Sequence, residues 1–339
     1  MRFLFRRNDS ILYIHQNFFL YKLLKPIVRL AMLLFCRKIV INRPEVLKEN
    51  GPLLLACNHP NSFLDGVLLD ALFKQPIWSL ARGDVFKKPF YARLLNRLKI
   101  LPVYRTSEGV ENLGINYETF ESCKKIFQKN GIVVIFSEGK CINEWHLRAL
   151  KKGTARLAVG AWEENIPLRV IPVGINYSSF HRFGKNIFLN FGTVISKNDI
   201  DINQPDGLRY QAFNEKLKQQ LNQLVFEIDK KDKQKQKEVL KIKTPLIKKT
   251  FLFIPAIIGW LAHFILYIPL RAFVWSKTKS NDHFDSVLMA LLLVKYPFYL
   301  LIITLVLFFV LKTWWVFLLF LVLPFTAWSY MQVKGQMDR

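Results

Sequence analysis

Two long apolar runs at the end of the chain restrict what it can fold into. They cover residues 251–273 and 286–331 and are interrupted mainly by Arg271, Lys295 and Lys312. A helix needs roughly 20 apolar residues to cross a bilayer, so residues 251–270 are predicted to span a membrane. The interruptions leave two predictions open for the second run, which forms either two spans or a re-entrant hairpin.

The N-terminal segment is also apolar but has a different pattern. Residues 11–35 carry Lys22, Lys25 and Arg29 among the apolar residues and lack a cleavage site of small residues. We therefore predict an interfacial amphipathic helix that anchors the chain to a membrane, and not a signal peptide.

The charge of the chain predicts an acidic partner. The formal net charge is +24, and basic clusters at residues 230–237 and 241–249 directly precede the first apolar run. Polybasic segments in this position bind anionic lipid headgroups. No nucleic-acid-binding motif is present, so anionic membrane lipids are the predicted partner and nucleic acid is not. The positive-inside rule places the soluble part on the cytoplasmic face of the inner membrane.

Between the membrane segments, short β-rich runs alternate with stretches of helical length. The runs cover residues 53–57, 77–82, 101–104, 132–136, 169–175 and 186–191. Such alternation is typical of an α/β domain with a mixed, largely parallel sheet flanked by helices. A further helix is predicted at residues 208–228. We accordingly divide the chain into an anchoring segment (1–38), the α/β domain (39–228), a basic linker (229–249) and a membrane region of two to three hydrophobic segments (250–339).

The first motif that indicates chemistry is His59 with Asp65. His59 follows a strand-like run, and Asp65 lies on the predicted helix that comes next. A neutral imidazole accepts a proton from an alcohol, and a carboxylate on its other nitrogen fixes the tautomer and stabilises the cation that forms. From the residues alone, it stays open whether His59 merely ends the strand and Asp65 caps the helix.

Two arginines at strand ends form the second motif. Arg82 ends the run at residues 77–82, and Arg105 follows the run at residues 101–104. A guanidinium fork suits bidentate binding of a phosphate monoester. We predict that both bind substrate, whereas the nearby Lys87 and Lys88 are expected to be solvated.

The third and fourth motifs follow or lie within apolar strands. Glu138, Gly139 and Lys140 come after residues 132–136, where a turn exposes backbone N–H groups and glycine permits close approach of an anion. Pro172 lies within residues 169–175, and because proline cannot donate to a sheet ladder we expect it at an edge or at a strand start.

The sequence lacks the motifs that are typical of several other kinds of site. Cys36, Cys57, Cys123 and Cys141 form no CxxC pair, which argues against a disulfide framework or a zinc site, and no metal is predicted. Cys57 shares a strand face with His59, but a cysteine inside an apolar strand is usually inert. P-loop, GxSxG, GxGxxG and HExxH patterns are not found.

Taken in order, these blocks resemble the glycerophospholipid acyltransferase family. The family has an Asn-His-x4-Asp block, a Gly-x-x-Pro-Val-x-Arg-like block, a Phe-Pro-Glu-Gly block and a Val-x-Pro-Val block. The corresponding residues here are Asn58-His59 with Asp65, Lys99 to Arg105, Phe136 to Gly139, and Val170 to Val173.

The resemblance implies an O-acyltransferase of phospholipid biosynthesis. His59 is then expected to deprotonate a glycerol hydroxyl that attacks the thioester of acyl-CoA or acyl carrier protein, and Asp65 supports it. Arg82, together with Arg105, Glu138, Gly139 and Lys140, which fall in the acceptor-phosphate blocks, is expected to bind substrate, as is Pro172 in the fourth block. No cofactor is implied beyond the thioester co-substrate.

The chain departs from the family pattern at several positions. Five residues, not four, separate His59 from Asp65, a spacing similar to that of members acting on glycerol-3-phosphate or dihydroxyacetone phosphate. Lys99 replaces the usual Gly, Ser137 replaces Pro, and Lys140 stands where Thr is frequent. Lysophosphatidate remains a second candidate acceptor. The sequence also leaves open a lipid transacylase and a non-catalytic lipid-binding protein.

Overall fold

The computed structural model describes residues 18–104 and 113–338. The strands are β1 (Cys36–Ile41), β2 (Leu53–Cys57), β3 (Ile77–Arg82), β4 (Ile100–Val103), β5 (Ile132–Phe136), β6 (Arg169–Tyr177) and β7 (Lys185–Phe191). The α-helices are α1 (Phe19–Phe35), α2 (Phe63–Leu72), α3 (Pro89–Arg97), α4 (Leu113–Gln128), α5 (Lys152–Glu163), α6 (Asp206–Leu224), α7 (Lys233–Leu240), α8 (Leu246–Thr278), α9 (Phe284–Leu311) and α10 (Leu319–Val333).

Within the described residues the strands form one mixed sheet in the order β1-β7-β6-β2-β5-β3-β4. The five strands from β6 to β4 are mutually parallel, whereas β7 pairs antiparallel with β6, and β1 pairs parallel with β7. The predicted mixed, largely parallel sheet is confirmed. Because parallel strands end at the same edge, the segments after β2, β3, β4 and β5 come together there.

Helices cover both faces of the sheet, which explains why its central strands are apolar without alternation. Every residue of β2 is fully buried. Leu53, Leu55 and Cys57 belong to one apolar cluster, and Leu54 and Ala56 belong to a second on the opposite face. Side chains alternate between faces along a strand, so a strand that is buried on both sides must be apolar throughout.

Helix α6 packs on the sheet through a glycine. A Cβ added to Gly174 in β6 would lie 2.4 Å from the carbonyl oxygen of Leu224, the last residue of α6. The same carbonyl oxygen accepts hydrogen bonds from the amides of Asn176 (3.0 Å) and Asn190 (2.8 Å). Asparagines on two strands thus cap the C-terminus of the helix, and only glycine leaves room for this approach.

Helix α1 contacts α2 on one side and has an exposed apolar face. Arg29 donates to the carbonyl oxygens of Ala71 (2.6 Å) and Phe73 (2.7 Å), which caps the C-terminus of α2. Phe19, Leu23, Ile27, Leu30 and Leu33 are all exposed and recur at helical spacing. The interfacial anchor stays a prediction, and residues 11–17 of it lie outside the described part of the chain.

The C-terminal region contains three helices that are long and apolar enough to cross a membrane, judged by length and composition within the described residues. They cover Leu246–Thr278, Phe284–Leu311 and Trp314–Val333. α8 and α10 approach closely at Gly259, where an added Cβ would lie 2.1 Å from the carbonyl oxygen of Thr326. Small residues permit such backbone contact between apolar helices.

Two sequence expectations for this half of the chain differ from the structure. α9 continues through Lys295, where we expected an interruption, and ends at Leu311, followed by Lys312 with a left-handed φ of 51°. The second apolar run thus forms two helices of spanning length, one of the two alternatives. The basic segment 229–249 contains α7, whose Leu240 is fully buried. For α7, the burial of Leu240 shows that tertiary packing outweighs local composition.

We predict that Gly174→Ala destabilises the fold by about 1–3 kcal/mol, because the new methyl group overlaps the carbonyl of Leu224. Gly160→Ala in α5 is the matched control, since outside its chain neighbours and its own helix backbone no atom lies within 4 Å of the added Cβ. This control should stabilise the helix by roughly 0.5–1 kcal/mol. Equilibrium unfolding of the purified variants measures both changes, and equal stabilities would contradict the proposed packing.

Candidate active site

The geometry of parallel strands brings the sequence motifs together at one edge of the sheet. His59 follows β2 by two residues, Glu138 follows β5 by two, and Arg82 is the last residue of β3. β2 pairs with β5, and β5 pairs with β3. The loops that carry the three residues are therefore neighbours.

His59 and Asp65 contact each other directly. Nδ1 of His59 lies 2.8 Å from Oδ2 of Asp65, and the carboxylate is fully buried. Asp65 is in the first turn of α2, where the positive end of the helix dipole favours a negative charge. The longer loop, with five residues between the two, therefore still allows the carboxylate to reach the ring.

Two further donors form hydrogen bonds with the carboxylate of Asp65. The hydroxyl of Tyr177 donates to Oδ1 (2.7 Å), and the backbone N–H of Asn61 donates to Oδ2 (2.9 Å). Burial, followed by the negative charge of Asp65, raises the pKa of Tyr177 well above its ordinary value, so the phenol stays a donor. Tyr177 was not predicted as a site residue, because its only signal in the sequence is its position at the end of an apolar strand.

The ring of His59 is fixed by stacking as well as by hydrogen bonding. It lies parallel to the ring of Phe136, with centroids 4.0 Å apart and an interplanar angle of 15°. Since a carboxylate accepts from Nδ1, the neutral ring carries its proton there and presents a lone pair at Nε2. No side chain within the described ranges forms a hydrogen bond with Nε2, and the side chain of His59 is 18% exposed. Nε2 is thus available to a substrate proton.

Glu138 joins the loops after β2 and β5. Its Oε2 accepts from the backbone N–H of His59 (2.8 Å), and its Oε1 accepts from that of Arg148 (2.8 Å). The residue is buried, and burial raises the pKa of the carboxyl group. Both oxygens are therefore engaged with backbone N–H groups, one of which is that of His59. Direct contact of Glu138 with the acceptor stays a prediction.

Asn58 and residues 141–143 support the loop from the other sides. The side chain of Asn58 exchanges two hydrogen bonds with the backbone of Ile175, at 3.0 and 2.7 Å, and so extends the β2–β6 pairing. The amide of Asn143 donates to the carbonyl oxygen of Pro60 (2.7 Å), and the N–H of Ile142 donates to that of His59 (3.2 Å). The histidine backbone is therefore held on both flanks.

Gly139 and Lys140 lie in the turn after Glu138. Gly139 has a φ of 67°, a conformation that favours glycine, and an added Cβ would meet the side chain of Lys151 at 3.1 Å. Lys140 is exposed. Their predicted contacts with substrate remain predictions.

Pro172 does not occupy the edge or strand start that we expected. It lies inside the central strand β6, is buried, and pairs with Ala56 of β2. The expectation was wrong because the antiparallel ladder towards β7 begins only at Val173. In the gap between Val173 and the bridge of Val170 with Ile195, Pro172 serves only as an acceptor, from the N–H of Gly192 (2.9 Å). The missing N–H of Pro172 falls in this gap, where no ladder donor is required.

Of the two arginines predicted to bind phosphate, the structure describes only Arg82. Arg82 is half-exposed at the end of β3, and its Nε donates to Oδ1 of Asp84 (2.7 Å). The hydrogen bond from Arg82 lowers the pKa of Asp84. Arg105 lies outside the described residues, two positions after β4 ends at Val103.

Two departures from the family pattern have structural explanations. Lys99 has a φ of 61°, which explains why glycine is usual at this position. Its ammonium lies over the ring of Phe18, 3.5 Å from the centroid, and over that of Trp78 (4.6 Å), and burial lowers its pKa to about 8. Ser137 donates its backbone N–H to the carbonyl oxygen of Cys57 (2.8 Å), a bond that proline could not form.

Cys57, which shares a strand face with His59, is poorly placed to act as a nucleophile. Cys57 is fully buried, and burial raises the pKa of its thiol well above the ordinary value. In the described ranges, no group of three or more His, Cys, Asp or Glu side chains could hold a metal ion.

Comparisons with known proteins identify the class of this domain. Residues 38–176 match the sequence model of the Acyltransferase family. No curated protein matches the chain by sequence. Among solved structures, the chain is similar to the 1-acyl-sn-glycerophosphate (LPA) acyltransferase PlsC from Thermotoga maritima, with 18% identity, a TM-score of 0.42, and coverage of 65% of this chain and 84% of that one. By this match to the family model, residues 38–176 form an acyltransferase domain.

Proposed function

We propose that this enzyme transfers a fatty acyl group from an acyl thioester to a hydroxyl of a phosphorylated glycerol-type acceptor. The observation that carries the proposal is the 2.8 Å contact between His59 and Asp65, because it leaves Nε2 of the ring open at the edge of an acyltransferase domain. An alcohol is a weak nucleophile at neutral pH, and a histidine base activates it without a serine.

In the proposed reaction, Nε2 of His59 takes the proton of the acceptor hydroxyl as its oxygen attacks the thioester carbonyl. The buried carboxylate of Asp65 stabilises the imidazolium that forms. The tetrahedral intermediate then expels the thiolate of the donor, which receives the proton from His59. The products are the ester and the free thiol, and the enzyme returns to its starting protonation state.

The acceptor that we favour is glycerol-3-phosphate or dihydroxyacetone phosphate. The five-residue spacing between His59 and Asp65 resembles that of family members using these acceptors. Arg82, at the end of β3 on the same edge as His59, and Arg105 would bind the phosphate. Lysophosphatidate is the competing acceptor, and parallel assays with each acceptor distinguish it.

The membrane is the proposed location of the reaction. Three apolar helices and the exposed apolar face of α1 support attachment, and the basic clusters around residues 230–249 would bind anionic lipids. We place the catalytic domain on the cytoplasmic side, where acyl-CoA or acyl carrier protein supplies the donor. A non-catalytic lipid-binding protein would need none of the hydrogen bonds that align His59.

His59→Ala should reduce acyl transfer by roughly 10²–10⁴-fold, because the acceptor hydroxyl loses its base. The measurement uses membranes containing the protein and labelled acyl-CoA or acyl carrier protein, with glycerol-3-phosphate, dihydroxyacetone phosphate and lysophosphatidate in parallel. Unchanged unfolding of the variant shows that the fold is retained. Wild-type activity in His59→Ala would contradict the mechanism, and no turnover by the wild type with any acceptor would contradict the function.

Tyr177→Phe tests the support of Asp65. The change removes one donor from a buried carboxylate and little else, and a hydrogen bond to a charged group is worth about 1.5–3 kcal/mol. We expect kcat to fall about tenfold or more, with the KM of the thioester unchanged. Tyr210→Phe, on α6, is a suitable control because its hydroxyl donates to the exposed Asp206, away from the active site. Equal kcat values for the two variants would count against this role for Tyr177.

Arg105→Ala should raise the KM for the phosphorylated acceptor and leave the KM for the acyl thioester unchanged, since the lost guanidinium would bind only the phosphate. Steady-state kinetics with each substrate varied in turn separates the two constants. An unchanged acceptor KM would rule out Arg105 as a phosphate ligand.

A further inference from the structure

The loop that carries the catalytic pair contacts a segment from the far end of the chain. Residues 282–286, which end the connection from α8 and form the first turn of α9, lie against residues 61–64 between His59 and Asp65. The two segments are separated by 224 positions in the sequence at the contact of Asn61 with Asp285. Residues 282–286 lie outside the sheet and outside the four sequence motifs.

Ser286 forms the central contact. Its hydroxyl accepts from the backbone N–H of Leu64 (2.9 Å) and donates to the carbonyl oxygen of Asn61 (3.3 Å). Leu64 is in the first turn of α2, where N–H groups have no partner within the helix. The N-cap residue Ser62 forms no side-chain cap hydrogen bond. Ser286 therefore supplies the cap that an N-cap side chain normally provides.

Two neighbouring residues of the same segment bind the rest of the loop. Oδ2 of Asp285 accepts from the side-chain amide of Asn61 (2.8 Å), and Nδ1 of His283 lies 2.6 Å from the hydroxyl of Ser62. Ser62 has a φ of 51° and a ψ of −138°, outside the regions that residues other than glycine commonly adopt. A backbone in this conformation persists when its surroundings hold it there.

A buried ion pair fixes the segment itself. The carboxylate of Asp285 pairs with Lys185, the first residue of β7, and both side chains are fully buried. The ammonium of Lys185 also lies 5.9 Å from the ring centroid of Tyr177, the residue that donates to Asp65. The start of α9 is thus tied to the same part of the sheet that supports the catalytic carboxylate.

We propose that the first turn of α9 is a positioning part of the active site, in which Ser286, Asp285 and His283 hold the lengthened loop so that Asp65 meets His59. This inference rests on the proposed function. None of the three residues is required to touch substrate, and their effect is on the alignment of the imidazole with its carboxylate. The apolar C-terminal region then contributes to catalysis as well as to attachment.

The test compares Ser286→Ala with Ser329→Ala in the full-length protein. Ser329 is a buried serine of α10 whose hydroxyl donates to the carbonyl oxygen of Phe325 in its own helix (2.8 Å). Small displacements of catalytic groups cost up to about 10²-fold in rate, so we expect kcat of Ser286→Ala to fall about tenfold or more. The KM of the acyl thioester should stay within about twofold, and Ser329→Ala should match the wild type.

Hydrogen exchange measured by mass spectrometry gives an independent readout. Peptides covering residues 59–66 should exchange faster in Ser286→Ala than in Ser329→Ala, because the N–H of Leu64 loses its acceptor. A kcat equal to that of Ser329→Ala, or unchanged exchange in these peptides, would overturn the inference.

If Ser286→Ala does not fold, His283→Ala decides the question, since His283 is exposed and its replacement leaves the core intact. A lowered kcat with unchanged thioester KM supports the positioning role, and a wild-type kcat refutes it. The wild-type protein is assayed beside the variants with all three acceptors. Absence of acyl transfer by the wild type contradicts the proposed function, whereas an active wild type with fully active variants contradicts only this inference.

Discussion

The buried carboxylate of Asp65 is the constraint on which the arrangement of this domain depends. A charge without solvent is costly unless hydrogen bonds replace the lost water. Here the ring of His59, the hydroxyl of Tyr177 and the N–H of Asn61 provide them. These donors come from the loop after β2 and from the end of β6, so the two strands must hold their register if the carboxylate is to stay paired.

The same requirement explains why the polar side chains around His59 form hydrogen bonds that hold the backbone in place. The side chain of Glu138 accepts from the backbone N–H of His59, and that of Asn58 binds the backbone of Ile175 in β6. Few of the polar groups near the ring are therefore free to act directly. Nε2 of His59, the base of the proposed reaction, is oriented and not obstructed by these buried groups, as expected when a site is preorganised before substrate binds.

Basic residues in this chain serve two different purposes. The sequence pattern of α1 places Arg29 among the charges of an interfacial anchor, yet this residue caps α2. Lys185 neutralises a buried carboxylate, and Lys99 packs over aromatic rings. The basic residues of the segment 230–249, which is mostly exposed, fit the lipid interaction inferred from composition more closely. A large net charge thus indicates an acidic partner only where the basic residues remain exposed.

Strand positions and the apolar helices followed from local pattern. The limits of β2, β3 and β5 agree with the sequence prediction because each is a short apolar run between polar turns. β1 and α7 were missed, since their stability comes from pairing with β7 and from burial of Leu240 and not from their own composition.

The order of the motifs along the chain was enough to indicate an acyltransferase and to single out His59 and Asp65, because spacing and residue type limit the chemistry that a segment can perform. Sequence could not identify Tyr177 as a partner of Asp65, nor Ser286 as the cap of α2. Those contacts join residues separated by 112 and 222 positions. They form only when the sheet has assembled and the apolar helices have packed beside it, since hydrogen-bond partners at such distances are selected by three-dimensional packing and leave no local pattern.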